Sequence, residues 1–304
     1  MIRRSALLSC LAVLLAAPAA FAAPPGFAFL EVPAGARASA MGGAYVAVAD
    51  GVEAAFWNPA DLTGVQGTQL IATHYEFFEN LRHEQFALAG RMFGGGLAGS
   101  VRAMYSEPIE ERDELGNLTG TFGAHDLEFQ VAYGREISRG ASVGIGTQVV
   151  KERIANESAM TWGVSAGAAF RPERWKGLQA SVVMQHLGPS AHYDLEGQQG
   201  APVDLPLALQ SGISWRRAMG HGLSILPAFD VRATVGRQPV AALGGELESD
   251  NGASLRLGLR EGDDISSFSA GFGWRFRSCR VDYAWVPSKL DLQDTHRFSF
   301  GAQF

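Results

Sequence analysis

Residues 267–277 read Ser-Phe-Ser-Ala-Gly-Phe-Gly-Trp-Arg-Phe-Arg. In an extended chain successive side chains point to opposite faces, so Phe268, Ala270, Phe272, Trp274 and Phe276 share one side, and Ser267, Ser269, Gly271, Gly273, Arg275 and Arg277 share the other. One face is greasy and the other polar. Leu255, Leu257 and Leu259 oppose Ser254, Arg256, Gly258 and Arg260 in the same way, and Leu127, Phe129, Val131 and Tyr133 oppose Asp126, Glu128, Gln130 and Ala132. Each such segment is a strand with one apolar face.

Repeating this reading along the chain predicts strands at 68–78, 84–93, 97–106, 124–137, 142–154, 159–171, 178–187, 206–217, 223–234, 239–248, 253–261, 266–276, 279–287 and 295–304, fourteen in all. Alternation alone also describes a soluble sandwich with one wet face. Three features favour a closed outer-membrane barrel instead: aromatic residues gather toward the strand ends, an export signal precedes the strands, and the chain ends inside a strand. In that last strand Phe298, Phe300, Ala302 and Phe304 alternate with Arg297, Ser299, Gly301 and Gln303. Left unpaired it would be an apolar edge, so closure onto the first strand is expected. Phe298, Phe300 and Phe304 resemble the C-terminal signature read by the barrel-assembly machinery.

Composition agrees. Charged residues make up 18% of the chain, against about 25% in ordinary domains. With 25 Lys and Arg against 31 Asp and Glu, no basic face suited to nucleic acid is expected. After the N-terminus no apolar run is long enough for a membrane-crossing helix. Residues 1–22 read as a signal peptide: Arg3 and Arg4, an apolar run, then Ala20-Phe21-Ala22 before the expected cut at Ala23. Cys10 falls in that leader, which leaves Cys279 alone and excludes a disulfide.

Residues 23–65 obey other rules. Two short alanine-rich stretches, 34–41 and 52–57, suit helices and are broken by Gly42-Gly43 and Asn58-Pro59. The segment is too short to form a core of its own and is expected inside the barrel as a plug, ahead of a barrel domain over 66–304.

The run from Gly35 through Met41, Gly42, Gly43 and Ala44 to Asp50, followed by Ala54-Ala55-Phe56-Trp57-Asn58-Pro59-Ala60, resembles the N-terminal hatch of the PorV/PorQ family, within the wider FadL-like group of fourteen-stranded barrels. Gln185-His186-Leu187-Gly188-Pro189 extends the likeness, with His186 where relatives usually carry Asn and Asp61 where the hatch commonly has Gly. The resemblance implies a hatch in which Gly42, Gly43, Asn58, Pro59 and Ala60 serve gating. It implies a role in type IX secretion, with secretion-system components as partners, or FadL-like uptake of long-chain fatty acids or other hydrophobic solutes. Lipid and lipopolysaccharide would surround it.

The inward positions are charged. Arg102, Asp230, Arg256, Arg275 and Asp282 are expected as lumen charges, with Arg91, Asp126, Glu128, Arg232 and Arg280 on the same parity. No catalytic, metal or cofactor site is expected. Gly163-Val164-Ser165-Ala166-Gly167 matches the nucleophile-elbow pattern, but alternation runs straight through it. The seven histidines show no metal-binding spacing, and Gly94-Gly95-Gly96 reads as a turn. Residues 107–123, with Glu107, Glu110, Glu111, Asp113 and Glu114, and residues 192–206 are expected to be long loops.

Overall fold

The computed structural model describes residues 25–77, 81–195, 198–289 and 293–304. The signal peptide and its cleavage site, expected over 1–22, lie outside the described residues. Nineteen strands follow the N-terminal segment: β1 (Thr68–Glu76), β2 (Arg82–Met92), β3 (Gly95–Tyr105), β4 (Ile109–Arg112), β5 (Leu118–Phe122), β6 (Ala124–Ser138), β7 (Ala141–Ile154), β8 (Glu157–Phe170), β9 (Leu178–Leu187), β10 (Ala191–Leu195), β11 (Gln198–Val203), β12 (Ala208–Trp215), β13 (Arg217–Gly220), β14 (Leu223–Thr234), β15 (Val240–Ser249), β16 (Ala253–Glu261), β17 (Phe268–Phe276), β18 (Cys279–Val286) and β19 (Thr295–Gln303).

Fourteen of these form one closed antiparallel wall in chain order, and β13 extends β12 along β14 past an interruption at Arg216. Closure comes from β19 on β1, with Gln69 opposite Gln303 and Glu76 opposite His296. Past the last ladder pair, Thr68 and Phe304 exchange backbone hydrogen bonds of 2.8 and 3.1 Å. The wall thus has no free edge to recruit another strand.

Alternation decides which way each side chain points. Phe272, Trp274 and Phe276 are 55–63% exposed on the outer surface, whereas Ser269 and Gly273, at alternate positions of the same strand, face inward and are buried. Phe298, Phe300 and Phe304 likewise point out of the wall. Tight turns close the hairpins at the end that carries the C-terminus. At Phe93–Gly94 and His221–Gly222 both residues have positive φ, as the turn that matches strand twist requires.

Two expectations need correction. The stretches 107–123 and 192–206 are not plain loops: β4 pairs with β5 and β10 with β11 as small hairpins beyond the wall at the opposite end. In the first, Asp113 accepts hydrogen bonds from the backbone N–H groups of Leu115 and Asn117 at 2.9 and 2.8 Å, closing the tip. These bonds, the Asn117 side-chain amide first, hold its carboxyl below the ordinary carboxylate range. Arg275 has inward parity, yet it lies at the mouth beside Glu248 with 54% of its side chain exposed, because the strand has by then passed the plugged part of the lumen. It is a rim charge.

One irregularity interrupts the wall. The β8–β9 register slips between Val164 and Ala166, and His186 opposite takes φ 62°. The extra residue lets both Gln185 and His186 bury their side chains, and the His186 ring lies 2.7 Å from the Gln148 amide. Gly163 to Gly167 lie within β8, with no turn to expose Ser165; that serine is buried against the His186 backbone.

Candidate functional site

The N-terminal segment runs down the lumen from the hairpin end to the C-terminal end. Gly26 bonds to Asp204 beyond the wall, Ala36 and Gly42 meet the middle of the barrel, and Val52 reaches Gln69 near the base of β1. Short helical pieces, α1 (Ala36–Ala40) and α2 (Ala54–Trp57), alternate with 3-10 turns over Ala28–Glu31, Gly51–Glu53 and Pro59–Gly64. Such pieces are too short to satisfy their own backbone, so orphan N–H and C=O groups need outside partners.

The inward polar residues of the wall supply them. Asp230 accepts from the N–H groups of Tyr45 and Val46, both at 2.8 Å, Ser299 from Ala36 at 2.8 Å, Ser269 from Gly42 at 3.0 Å and Gln85 from Gly35 at 3.0 Å. Gln185 donates to the carbonyls of Phe56 and Trp57 at 3.2 and 3.1 Å. The polar face of the barrel is a mould for this segment.

The residues expected to serve the hatch lie along that contact. Asn58 caps the last 3-10 turn by accepting from Ala60 N–H at 3.1 Å, and its amide donates to Ala168 O at 3.3 Å; Pro59 sits at the first helical position, where no N–H is needed. Gly42, with φ +67°, runs so close to β16 that a Cβ on Gly258 would lie 2.0 Å from its nitrogen. Gly43 also has positive φ and faces Arg260. Fitting a folded-back backbone against a strand therefore explains the Gly42-Gly43 pair.

The charges close into a ring. Arg37 Nε and Nη2 each lie 2.7 Å from the Glu246 carboxylate. Glu246 also accepts from Arg256 Nε at 2.7 Å, Arg256 Nη1 is 2.8 Å from Asp282, and Arg280 Nε is 2.7 Å from Asp282. Arg280 then reaches Glu53 at 3.4 Å, and Glu53 returns to Arg37 at 3.6 Å. Signs alternate around all six members, two from the segment and four from the wall. The Tyr45 hydroxyl bridges inside, accepting from Arg37 at 3.1 Å and donating to Glu53 at 2.7 Å. Burial raises its pKa well above the tyrosine value, so it remains a donor. Burial pulls the Arg37 guanidinium down, and Glu246, Tyr45 and Glu53 outweigh that pull.

Of the five expected lumen charges, the structure brings Arg256 and Asp282 together in this ring. Asp230 serves the plug backbone, and Arg102 pairs with Glu128 while donating to Leu30 O at 3.3 Å. Arg275 stands apart at the rim. Sequence reading missed Arg37, Glu53 and Glu246. A lone arginine in an alanine-rich helix and a glutamate on the inward parity of β15 were the available signals. A second tie at the C-terminal end joins Asp61 to Arg171 and Gln179; burial raises the Asp61 carboxyl to about 7 against the pull of Arg171.

Above the ring, Phe27, Phe29 and Leu30 fill an apolar chamber made by Val150, Ala159, Ala191 and Leu205, with Met104, Tyr193 and Val203 around it. Between chamber and ring a cavity of about 40 Å³ is lined by Trp57, Arg102, His186, Arg232 and Arg260. That is room for a few water molecules. A second opening of about 300 Å³ at the C-terminal mouth ends against Gly51–Glu53 and Arg280. The segment occupies the lumen between these two openings.

No protein-family model matches the chain, and no curated protein matches it by sequence. Solved structures do. The Pseudomonas putida toluene transporter TodX aligns with a TM-score of 0.61 at 12% identity, over 88% of this chain and 96% of that one. The CymD monoaromatic hydrocarbon channel gives 0.62 at 14%, over 89% and 97%. A Pseudomonas aeruginosa FadL homologue gives 0.50 at 10%, over 88% and 97%. At such identities the likeness concerns architecture: the chain has the fold of these hydrocarbon channels and of a FadL homologue.

Proposed function

We propose that this protein is a non-enzymatic outer-membrane channel for small hydrophobic solutes, closed at rest by residues 25–65 acting as a hatch. The observation that carries the reading is the chamber filled by Phe27, Phe29 and Leu30. A larger apolar cluster, with Met41, Phe56, Trp57 and Leu62 against Ile71, Ala87, Leu226 and Ala242, packs most of the plug to the wall. The chamber is separate from it, and there the chain's own aromatic rings occupy an apolar site. A hydrophobic solute of similar size can compete for it, since burying apolar surface is worth about 25 cal/mol per Å² whichever group supplies it. The hydrocarbon channels that share the fold support this choice over the secretion-associated role implied by the PorV/PorQ resemblance.

The same reading places the chain in the outer membrane of a Gram-negative-type bacterium after removal of residues 1–22, with Phe298, Phe300 and Phe304 recognised during assembly and lipopolysaccharide around the outer leaflet. The test is uptake of toluene and of a long-chain fatty acid by cells carrying the protein or lacking it, alongside Phe27→Ala/Phe29→Ala. Uptake of either solute that depends on the protein and rises in the double variant supports the channel. Unchanged uptake of both in all three strains refutes it.

A further inference from the structure

The two ends of the barrel carry opposite charge. At the C-terminal end, the turn regions 91–94, 135–140, 171–177, 216–222, 248–252 and 275–278 hold ten Arg or Lys against four Asp or Glu, in a chain whose overall balance is acidic. At the other end the described loop residues of 106–123, 188–207, 235–239, 262–267 and 287–294 hold ten acids against three bases. The basic rim is also aromatic. Arg277 lies over the Phe276 ring at 5.2 Å and Arg217 over Trp215 at 4.7 Å, neither in an ion pair among the described residues.

Directly beside Arg277 the outer wall is grooved. A depression of about 700 Å³ runs along β16–β18, lined by Leu255, Phe272, Trp274, Phe276 and Val281 and ending at Cys279. Its cause is local packing: Ala253 pairs with Trp274, and Cys279 with Phe276, so small side chains stand next to large rings on the same outer face. Phe276 belongs both to the groove and to the cation pair. Arg277 itself lines the adjoining rim depression with Glu248, Asp250 and Arg275, and it reaches the groove through the Phe276 ring that both share. An apolar channel whose end ring carries a guanidinium without an ion pair among the described residues matches one phospholipid, with its chain along the rings and its phosphate at the cation.

We propose that this groove and Arg277 form a binding site for an anionic phospholipid. The choice of lipid rests on charge complementarity and on continuity with the apolar wall: a soluble acidic partner would find the charge but would leave the groove, which opens onto the lipid-facing rings, unexplained. The proposal rests on reading that wall as membrane-facing, and it is independent of what the lumen carries.

Cys279 supplies the probe. The full chain, with Cys10→Ser so that a bimane label goes only to Cys279, is reconstituted in phosphatidylcholine bilayers containing brominated phosphatidylglycerol or, separately, brominated phosphatidylcholine at equal mole fraction. Stronger quenching by phosphatidylglycerol is expected, weakening with salt. Arg277→Gln should lower that preference about fivefold, the equivalent of ~1 kcal/mol per cation at an anionic surface. The variant Arg112→Gln, at the opposite end, should leave it unchanged. Heat-modifiable migration of each variant shows that the barrel has formed. Equal quenching by the two lipids, or a preference that survives Arg277→Gln, overturns the anionic site. Quenching by neither overturns the membrane reading of the wall as well. Transport assays bear on neither result.

Discussion

Replacing Glu246 by Gln should release the plug while leaving the barrel wall folded. Its side chain is 1% exposed and accepts from Arg37 twice, from Arg256 and, at 3.3 Å, from Arg216. Without that carboxylate the six-membered ring holds three cations and two anions. Removing one partner of a buried pair costs about 3–5 kcal/mol, because the remaining charge stays buried without compensation. Arg37 lies in the plug and Glu246 in the wall, so the cost falls on their association. The ladder bonds of β15 with β14 and β16 are backbone bonds and survive. At about 4 kcal/mol the plug-released population rises by roughly three powers of ten. Arg37→Met should cost less, since Glu246 keeps Arg256 and Arg216. The double variant should be milder than the sum of the two single ones. Hydrogen exchange over residues 33–65 reads plug release, and heat-modifiable gel migration reads the wall. Unchanged exchange in that segment, or loss of the heat-modifiable form at the same temperature as plug exposure, would refute the reasoning.

Three further outcomes are expected. Gly258→Val places side-chain atoms where a Cβ alone already lies 2.0 Å from Gly42 N, so it should open the lumen and raise single-channel conductance in planar bilayers, with the wall intact. Asp61 binds its proton more tightly when buried, with a pKa near 7, so its contribution to plug stability is full at pH values below the ordinary carboxylate range and is lost as pH rises through about 7. The protection of residues 59–64, corrected for the intrinsic pH dependence of amide exchange, should accordingly fall between pH 6 and 8, and Asp61→Asn should flatten that fall. Deleting Phe304 removes the backbone pair with Thr68 that completes closure and should lower the yield of heat-modifiable barrel from membranes several-fold, without changing expression.

Much of this architecture is written locally. Phe268 to Phe276 alternate because extended backbone sends neighbouring side chains to opposite faces, and that holds whatever the rest of the chain does. Strand number, strand limits to within a few residues and the presence of a turn near Gly94 follow from such short-range rules, although the turn falls at Phe93–Gly94 and Gly95 and Gly96 already belong to β3. So does the cap at Asn58-Pro59. Inward parity also marked Arg256 and Asp282 as lumen charges.

Partners across the lumen are another matter. Arg37 and Glu246 are 209 residues apart, and Asp230 meets Tyr45 across 185. Which inward residues share a level depends on the stagger of fourteen strands around the closed wall and on the path of the plug, neither of which is encoded within one strand. Arg275 shows the limit from the other side: parity gave its face, while its depth, set by where the plug ends, left it at an open rim. Sequence alone determined that this chain builds a two-sided wall. Only the tertiary structure decided that the polar side would be spent on holding the plug, because the unpaired backbone of short helices must find its hydrogen bonds there.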